Sequence, residues 1–270
     1  VRLFNIDSLL IKELLQPDAK TRISGFNMTV VRDTRKNCSV KYSLLDLIAD
    51  LNAERGEAIA KELGGVFVKC DVSSVEDAQA SVAAALKLAP LRALVNSAGL
   101  GGPARTVGRD GTPLPLEKFS FIIKVNLLGS FNMLSQAAAA MATQAPMDAD
   151  GAKGAIVNMA SVAAFDGQIG QGAYPASKGG IVGMTLPIAR DLAALGIRVN
   201  TIAPGLIDTP IYGSGPDADA FKAKLGESVL FPKRLGSAEE LAFMVMECLT
   251  NAYMNGEVIR VDGGIRMPPK

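Results

Sequence analysis

Short apolar runs alternate with longer alanine-rich stretches along this chain from about residue 49 to its end. Such alternation is typical of βαβ units, in which a parallel sheet carries helices on both faces. The pattern therefore predicts an α/β fold with a doubly wound parallel sheet, formed by a single Rossmann-type domain over residues 1–270. Strands are predicted at 47–49, 66–70, 91–95, 154–160, 197–202 and 258–261, and helices at 75–88, 116–143 and 238–249.

Two segments depart from this pattern. Residues 206–234 are polar and contain glycine and proline, which predicts a mobile lid over a substrate site. Residues 1–48 contain one alanine and one glycine, whereas the rest of the chain is rich in both. We interpret this shift as a composition boundary rather than a linker, so that residues 1–48 are an atypical start to the domain.

Polar or turn-forming residues follow several of the predicted strands. In open parallel sheets, ligands bind beyond the carboxyl ends of the strands, where the strand order reverses. Four strand ends fit this rule: Asp50, Asp71, the turn at 96–99 and the Pro204-Gly205 pair. A carboxylate at Asp50 would bind both ribose hydroxyls of an adenosine and repel a 2′-phosphate, which favours NAD over NADP. The alternative for each aspartate is a turn residue or a helix cap.

The bulk composition excludes several classes of function. With 49% hydrophobic and 20% charged residues and a net charge of +1, the chain has no basic cluster that would indicate nucleic-acid binding. No apolar run reaches the ~18–20 residues that a membrane span needs. Cys38, Cys70 and Cys248 are scattered, which indicates a reducing, cytoplasmic compartment and no structural metal. Acidic residues such as Asp7 and Glu13 interrupt the start and argue against a transit peptide.

The chain contains no histidine. This absence excludes Ser-His-Asp and Cys-His nucleophilic catalysis, together with every zinc site that requires histidine. Acid/base chemistry near neutral pH would therefore depend on a perturbed tyrosine, lysine, cysteine or carboxylate.

Tyr174 and Lys178 are the best candidates for that chemistry. Four positions apart on a helix, they share one face, so the ammonium would lie beside the phenol. A phenol titrates near ~10, and a neighbouring positive charge lowers its pKa towards a useful range. Ser161 follows the apolar run 154–160 and could hold a substrate oxygen against the phenol. The simpler alternative is an i,i+4 pair on a solvated helix face.

These residues, taken together, resemble the short-chain dehydrogenase/reductase family. The resemblance covers about residues 49–270, with six motifs in the family's order and spacing. The motifs are Asn96-Ser97-Ala98-Gly99, Asn126, Ser161, Tyr174 with Lys178, Pro204-Gly205 with Thr209, and Val261-Asp262-Gly263-Gly264.

The resemblance implies a hydride transfer between a nicotinamide and a secondary alcohol or its ketone. Tyr174 would act as the acid/base on the substrate oxygen, and Ser161 would donate a hydrogen bond to that oxygen. Lys178 would lower the pKa of Tyr174 and bind the nicotinamide ribose, while Asn126 would hold a water that links Lys178 to solvent. Gln168 would line the substrate site with Ser161 and Tyr174. The implied NAD-binding residues are Asp50, Asp71, Val72, Asn96, Ala98, Gly99, Tyr174, Lys178, Pro204, Gly205, Ile207 and Thr209.

Within this family, residues 161–174 and 178–190 are similar to the type 2 3-hydroxyacyl-CoA dehydrogenases, also called 17β-hydroxysteroid dehydrogenases type 10. The implied substrate is an acyl-CoA or a steroid, and the implied assembly is a homotetramer. An NADPH-dependent 3-ketoacyl reductase of fatty-acid synthesis is the nearest enzymatic alternative, and Asp50 disfavours it.

One family motif is missing from the sequence. The family begins with a strand, a Thr-Gly-x-x-x-Gly-x-Gly turn and a helix whose N-terminus binds the cofactor diphosphate. Measured back from Asp50, that turn should fall near residues 25–32, where Gly25 is the only glycine. Three explanations stay open: a foreign or misassigned segment joined to a normal body, a diverged start that binds cofactor weakly or differently, or a non-catalytic member that uses the fold as a binding module.

Overall fold

A computed structural model of the chain describes residues 2–3, 29–32, 43–209, 212–213 and 215–269. Its strands form one large sheet and one two-stranded pair. The strands are β1 (Arg2–Leu3), β2 (Thr29–Arg32), β3 (Ser43–Asp50), β4 (Val66–Lys69), β5 (Ala93–Asn96), β6 (Leu100–Gly101), β7 (Gly154–Met159), β8 (Ile197–Pro204) and β9 (Val258–Val261).

Seven of these strands make the large sheet, in the order β4-β3-β2-β5-β7-β8-β9. Two blocks of it, β3-β4 and β5-β7-β8-β9, are parallel throughout. Between the blocks lies β2, which runs antiparallel to both β3 and β5. The strand order reverses at this point, as in a doubly wound fold. The doubly wound α/β fold is therefore confirmed, with one strand in the opposite direction to the others.

Seven α-helices flank or follow the strands in the described part of the chain, and a π-helical turn at Lys124–Leu128 joins the third to the fourth. The helices are α1 (Ala53–Leu63), α2 (Val75–Leu88), α3 (Leu116–Ile123), α4 (Gly129–Ala142), α5 (Ala173–Ala193), α6 (Pro216–Gly226) and α7 (Ala238–Thr250).

Successive residues of the central strands enter different cores, because side chains alternate between the two faces of a sheet. Leu94 and Ile156 pack with α2 and α4 on one face. Val95 and Val157 pack with α7 on the other face. Every residue of β5 and β7 is buried, so their sequences are apolar apart from one buried asparagine in each, rather than alternating between apolar and polar residues. Because β5 and β7 pair in parallel, their carboxyl ends lie at the same edge of the sheet.

Most predicted elements agree with the structure to within two residues. The predicted helix at 116–143 is the main exception, because the π-helical turn interrupts it and brings the polar side chain of Asn126 into the interior. The predicted lid contains α6. Among the described residues, no helix is long and apolar enough to cross a membrane.

Candidate active site

Ser161 lies just beyond the carboxyl end of β7. Its backbone is extended, and its hydroxyl oxygen accepts a hydrogen bond from the backbone N–H of Ala163 at 3.1 Å. That bond caps the short 3₁₀ turn Val162–Ala164 and fixes the side chain. The hydroxyl is also within hydrogen-bond reach of Tyr174.

Tyr174 faces Ser161 from the first turn of α5. Pro175 follows it without cost, because first-turn residues have no helical partner for their N–H groups. Burial raises the pKa of the Tyr174 phenol, and a hydrogen bond with Ser161 partly offsets this effect. The sequence predicted a lowered pKa, and the structure gives the opposite net direction because desolvation of the phenolate outweighs the stabilising contacts.

Lys178 lies one helical turn after Tyr174 and is 4% exposed. Its Nζ atom is 5.8 Å from the centroid of the Tyr174 ring and donates to the backbone oxygen of Met159 at 2.7 Å. Burial lowers the pKa of Lys178 from 10.5 to about 8. Gly99 lies beside this ammonium, and a Cβ atom at that position would be in van der Waals contact with Nζ at 3.4 Å.

Asn126 is fully buried in the π-helical turn. Its side-chain nitrogen donates to the Leu100 oxygen at 2.8 Å and to the Ser177 hydroxyl at 3.0 Å. Its side-chain oxygen accepts from the Leu100 N–H at 2.8 Å. The amide therefore connects β6 to the helix that carries Lys178. The water-holding role implied by the family resemblance stays a prediction.

These elements enclose a cavity of about 340 Å³, which we call the central cavity. Nine of the predicted site residues line it: Gly99, Ser161, Gln168, Tyr174, Lys178, Pro204, Gly205, Ile207 and Thr209. The close packing at Gly205 explains the glycine there, because a Cβ atom would lie 2.7 Å from the Cα atom of Asp262.

The remaining predicted cofactor residues lie outside this wall, at or just after the carboxyl ends of β3, β4 and β5: Asp50, Asp71, Val72, Asn96 and Ala98. Asp50 accepts a hydrogen bond from the Asn52 N–H at 2.7 Å, and burial raises the pKa of its carboxyl group. The side chain of Asn96 is buried, where it donates to the Ser130 oxygen and to Asn158. Any ligand contact by Asn96 would therefore involve its backbone.

Sequence reasoning did not assign a role to twelve further residues of the cavity wall, among them Pro103, Gln171, Tyr212, Phe221, Leu225 and Met267. The rings of Tyr212 and Phe221 are 6.2 Å apart, and burial raises the pKa of Tyr212 to about 12. Their occurrence as aromatic residues within a polar segment could have indicated Tyr212 and Phe221 as residues of the site. Met267 had no such signal, because only the folded chain returns the C-terminal tail to the loop around residue 168.

The site fits the nicotinamide half of a dinucleotide cofactor. The cavity brings Lys178 and Thr209 together with the Ser161/Tyr174 pair. Among the described residues, the Met159 oxygen accepts one of the N–H groups of Lys178 Nζ. The described residues of the predicted turn do not fit the diphosphate half of the cofactor. Of the predicted turn at 25–32, Thr29–Arg32 form strand β2 rather than a turn into a helix, and Gly25–Met28 lie outside the described residues. The described residues also contain no cluster of three or more potential metal ligands.

Comparisons with known proteins agree with this geometry. The family model described as Enoyl-(Acyl carrier protein) reductase matches residues 39–266. The chain is 48% identical over 227 residues to the 3-hydroxyacyl-CoA dehydrogenase type-2 of Homo sapiens, covering 83% of this chain and 86% of that protein. The enzyme of the same name from Drosophila melanogaster is 46% identical, with 83% and 88% of the two chains covered.

Two further comparisons are with a reductase and with a solved structure. A 3-oxoacyl-[acyl-carrier-protein] reductase of Mus musculus is 33% identical over 225 residues, covering 82% of this chain and 86% of that protein. Among solved structures, the 3-hydroxyacyl-CoA dehydrogenase type-2 from Mycobacterium avium superposes with a TM-score of 0.78 at 44% identity, covering 83% of this chain and 87% of that one.

Proposed function

Because this chain belongs to the short-chain dehydrogenase/reductase family, we propose that it is an oxidoreductase that transfers a hydride between a nicotinamide cofactor and carbon 3 of a 3-hydroxyacyl-CoA or 3-ketoacyl-CoA. The observation that carries the proposal is the meeting of Ser161, Tyr174 and Lys178 in one cavity. Its support from relatives is the identity of 45–48% to five proteins named 3-hydroxyacyl-CoA dehydrogenase type-2. Hydroxysteroids are a second proposed substrate class.

The proton chemistry follows from the described side chains. In the reductive direction, the Tyr174 hydroxyl gives its proton to the substrate 3-oxygen, while the Ser161 hydroxyl donates a hydrogen bond to the same oxygen. When bound, the nicotinamide supplies the hydride for carbon 3. Lys178 stabilises the phenolate that Tyr174 becomes, because its ammonium is held 5.8 Å from the ring centroid. In the oxidative direction the same groups act in reverse order.

NAD is the proposed cofactor. Asp50 ends β3 at the edge of the sheet where the strand order reverses. A carboxylate at this place accepts hydrogen bonds from ribose hydroxyls and repels a 2′-phosphate. Asp71 and Val72 would contact the adenine, and Ile207 and Thr209 the carboxamide.

Residues 206–234 are the proposed substrate lid. The base of this segment is closed by a parallel bridge between Ile207 and Gly236, and an ion pair of 2.8 Å joins Asp208 to Lys222 on α6. The lid contributes Tyr212, Phe221 and Leu225 to the central cavity. Its motion would open and close the part of the cavity that these three residues line.

A homotetramer is the proposed assembly. Phe121, Leu128 and Phe131 expose about half of their surface along the α3–α4 region. Phe243 on α7 is 68% exposed, and Tyr253 is fully exposed after the same helix. Two separate apolar surfaces of this kind would form two different two-fold interfaces, which together generate a tetramer. The buried free thiols of Cys70 and Cys248 support the proposed cytoplasmic location.

A non-catalytic binding module is the second candidate. The direction of β2 favours it, because a strand occupies part of the place of the diphosphate-binding turn. An NADPH-dependent 3-ketoacyl reductase is the third, and the 33% identity to the mouse reductase supports it.

The deciding experiment is calorimetric titration of the purified chain with NADH and NADPH, followed by acetoacetyl-CoA reduction with each. We expect NADH to bind and to support reduction better than NADPH. Absence of NADH binding at millimolar concentration would contradict the oxidoreductase proposal and favour the binding module. A preference for NADPH would favour the third candidate.

A further inference from the structure

Arg260, the third residue of β9, has a side chain that is 22% exposed and bound to oxygens of two other segments. Its Nη2 atom pairs with the Asp166 carboxylate at 3.0 Å and also donates to the backbone oxygen of Ile265 at 2.8 Å. Its Nε atom pairs with the Asp262 carboxylate at 2.6 Å. The Phe165 ring lies against the guanidinium, with 5.2 Å between Cζ and the ring centroid. We call Arg260, Asp166 and Asp262 the Arg260 clamp.

The clamp joins two segments that line the central cavity. Asp166 lies in the loop at 165–171, which contributes Gln168 to the cavity wall. Asp262 lies at the start of the C-terminal tail, which contributes Met267 to the same wall. Because one planar guanidinium binds both segments in a fixed geometry, it fixes the distance between these two parts of the wall.

The turn that begins at Asp262 also contacts the lid and the strand end at Gly205. The backbone oxygen of Gly263 accepts hydrogen bonds from the N–H groups of Leu230 and Phe231, at 3.1 and 3.0 Å. The backbone of Asp262 lies so close to Gly205 that a Cβ atom there would be 2.7 Å from the Asp262 Cα atom. The clamp holds this turn through the Asp262 carboxylate, so loss of the clamp would also disturb the lid where it meets the tail.

The two carboxylates of the clamp depend on Arg260 to different degrees. The Asp166 side chain is 21% exposed and has no other ion-pair partner among the described residues, whereas Asp262 keeps a longer contact of 3.7 Å with Arg266. A shielded carboxylate that loses its cation recovers its hydration only by moving towards solvent. Loss of Arg260 would therefore release the loop that carries Asp166 from the tail.

Among the described residues that line the central cavity, none belongs to the clamp. We propose that Arg260 is a positioning residue for substrate binding, which holds the loop at 165–171 against the tail and so sets the width of the cavity between Gln168 and Met267. This inference rests on the proposed function, since it takes the central cavity to be the substrate site. Proton transfer at Tyr174 does not involve the clamp, so its loss changes the affinity for substrate more than the rate of the chemical step.

The test compares wild type with Arg260→Gln, Asp166→Asn and the double variant in steady-state reduction of acetoacetyl-CoA. We expect Arg260→Gln to raise KM by about tenfold, the effect of losing a charge-assisted hydrogen bond, and to change kcat less than about twofold. Asp166→Asn should also raise KM, and it carries the test if Arg260→Gln does not fold. The double variant should have the KM of Arg260→Gln, because both changes remove the same contact. Effects on KM that multiply in the double variant would overturn the inference.

Arg198→Gln is the matched control for a purely structural role. Arg198 on β8 is partly buried, donates to the backbone oxygens of Cys248, Leu249 and Met254, each at 2.7 Å, and does not line the cavity. We expect this variant to lower the midpoint of urea unfolding and to leave KM within about twofold of wild type. A wild-type KM in Arg260→Gln, or an equal rise in KM in Arg198→Gln, would overturn the inference.

Hydrogen exchange separates this inference from the proposed function. The Ile169 N–H donates to the Pro269 oxygen at 2.9 Å and so reports the contact between the loop and the tail. Relative to the amides of β7, it should exchange faster in Arg260→Gln and Asp166→Asn than in wild type, and at the wild-type rate in Arg198→Gln. If wild type does not reduce acetoacetyl-CoA while this difference is seen, the proposed function fails and the positioning of the wall stands. Unchanged exchange of Ile169 in both clamp variants would overturn the inference.

Discussion

Lys178 Nζ donates a hydrogen bond of 2.7 Å to the backbone oxygen of Met159, the last residue of β7. The bond joins helix α5, which carries Tyr174, to the strand end that precedes Ser161. One ammonium thus fixes the relative position of the two hydroxyls and supplies positive charge beside the phenol. The cost is its burial, which lowers the pKa of Lys178 to about 8.

Lys178→Met should reduce acetoacetyl-CoA reduction strongly and alter the pH dependence of stability. Because the pKa of Lys178 falls from 10.5 in the unfolded chain to about 8 in the folded one, its contribution to stability is fully present above pH 10.5 and is lost as pH falls through about 8. At about 1.4 kcal/mol per pH unit, this amounts to about 3 kcal/mol. Urea unfolding of wild type and Lys178→Met between pH 7 and 10.5 measures this pH dependence. A constant difference in unfolding free energy between the two proteins would contradict the prediction.

Tyr174→Phe should lower kcat for acetoacetyl-CoA reduction by about 100-fold to 10,000-fold, the usual contribution of a general acid. Cofactor binding should persist, because the ring and Lys178 remain. The control is Tyr253→Phe, which removes the same hydroxyl from a fully exposed side chain. Retained activity in Tyr174→Phe would refute the assigned role.

Asp46→Asn should stabilise the protein at neutral and alkaline pH. Asp46 is 1% exposed in β3, and its carboxylate oxygens have no hydrogen-bond partner in the part of the chain that the structure describes. Burial raises the pKa of Asp46 from 3.8 to about 7. Its contribution to stability is thus fully present below pH 3.8 and is lost as pH rises through about 7, at most about 4 kcal/mol. Unfolding free energies between pH 5 and 8 measure the effect.

The matched control for that prediction is Asp150→Asn, because Asp150 is exposed. We expect the wild-type unfolding free energy to fall with pH relative to Asp46→Asn. The prediction is wrong if the two proteins keep a constant difference across this range.

Gly205→Ala should destabilise the protein by about 1–3 kcal/mol, as overpacking of a tight contact does. The new Cβ atom would lie 2.7 Å from the Cα and Cβ atoms of Asp262, so the loop after β9 must shift. Gly183→Ala is the control, because a Cβ atom at this site in α5 meets no atom within 4 Å and alanine favours a helix by about 1 kcal/mol. The midpoint of chemical denaturation should therefore fall for Gly205→Ala and rise for Gly183→Ala.

Much of the fold was predictable because burial on both faces leaves a strong sequence signal. The largely apolar runs of β5 and β7 could be recognised from their own sequences. The helix at Val75–Leu88 begins after Ser74, whose side chain accepts a hydrogen bond from the Asp77 N–H. The π-helical turn at Lys124–Leu128 could not be recognised in this way. Its cause is the set of hydrogen bonds that Asn126 makes to Leu100 and Ser177, which are distant in sequence.

The direction of β2 was not predictable for a related reason. A four-residue strand carries no signal for its orientation, which depends on pairing with both β3 and β5. The net direction of the shift in the pKa of Tyr174 was also not predictable from residue spacing along the chain. An i,i+4 lysine shows that a positive charge is near, whereas the desolvation that raises the pKa depends on every element around the phenol.

The sequence by itself determined the parallel α/β architecture, the family and the identities of Ser161, Tyr174 and Lys178, because these follow from periodicity, spacing and motif order along the chain. Only the tertiary structure decided that the tail residue Met267 and the lid residues Tyr212 and Phe221 enclose the same cavity, and that Asp46 is buried with no hydrogen-bond partner among the described residues. Burial and proximity between distant segments are properties of the packed chain, and no local pattern encodes them.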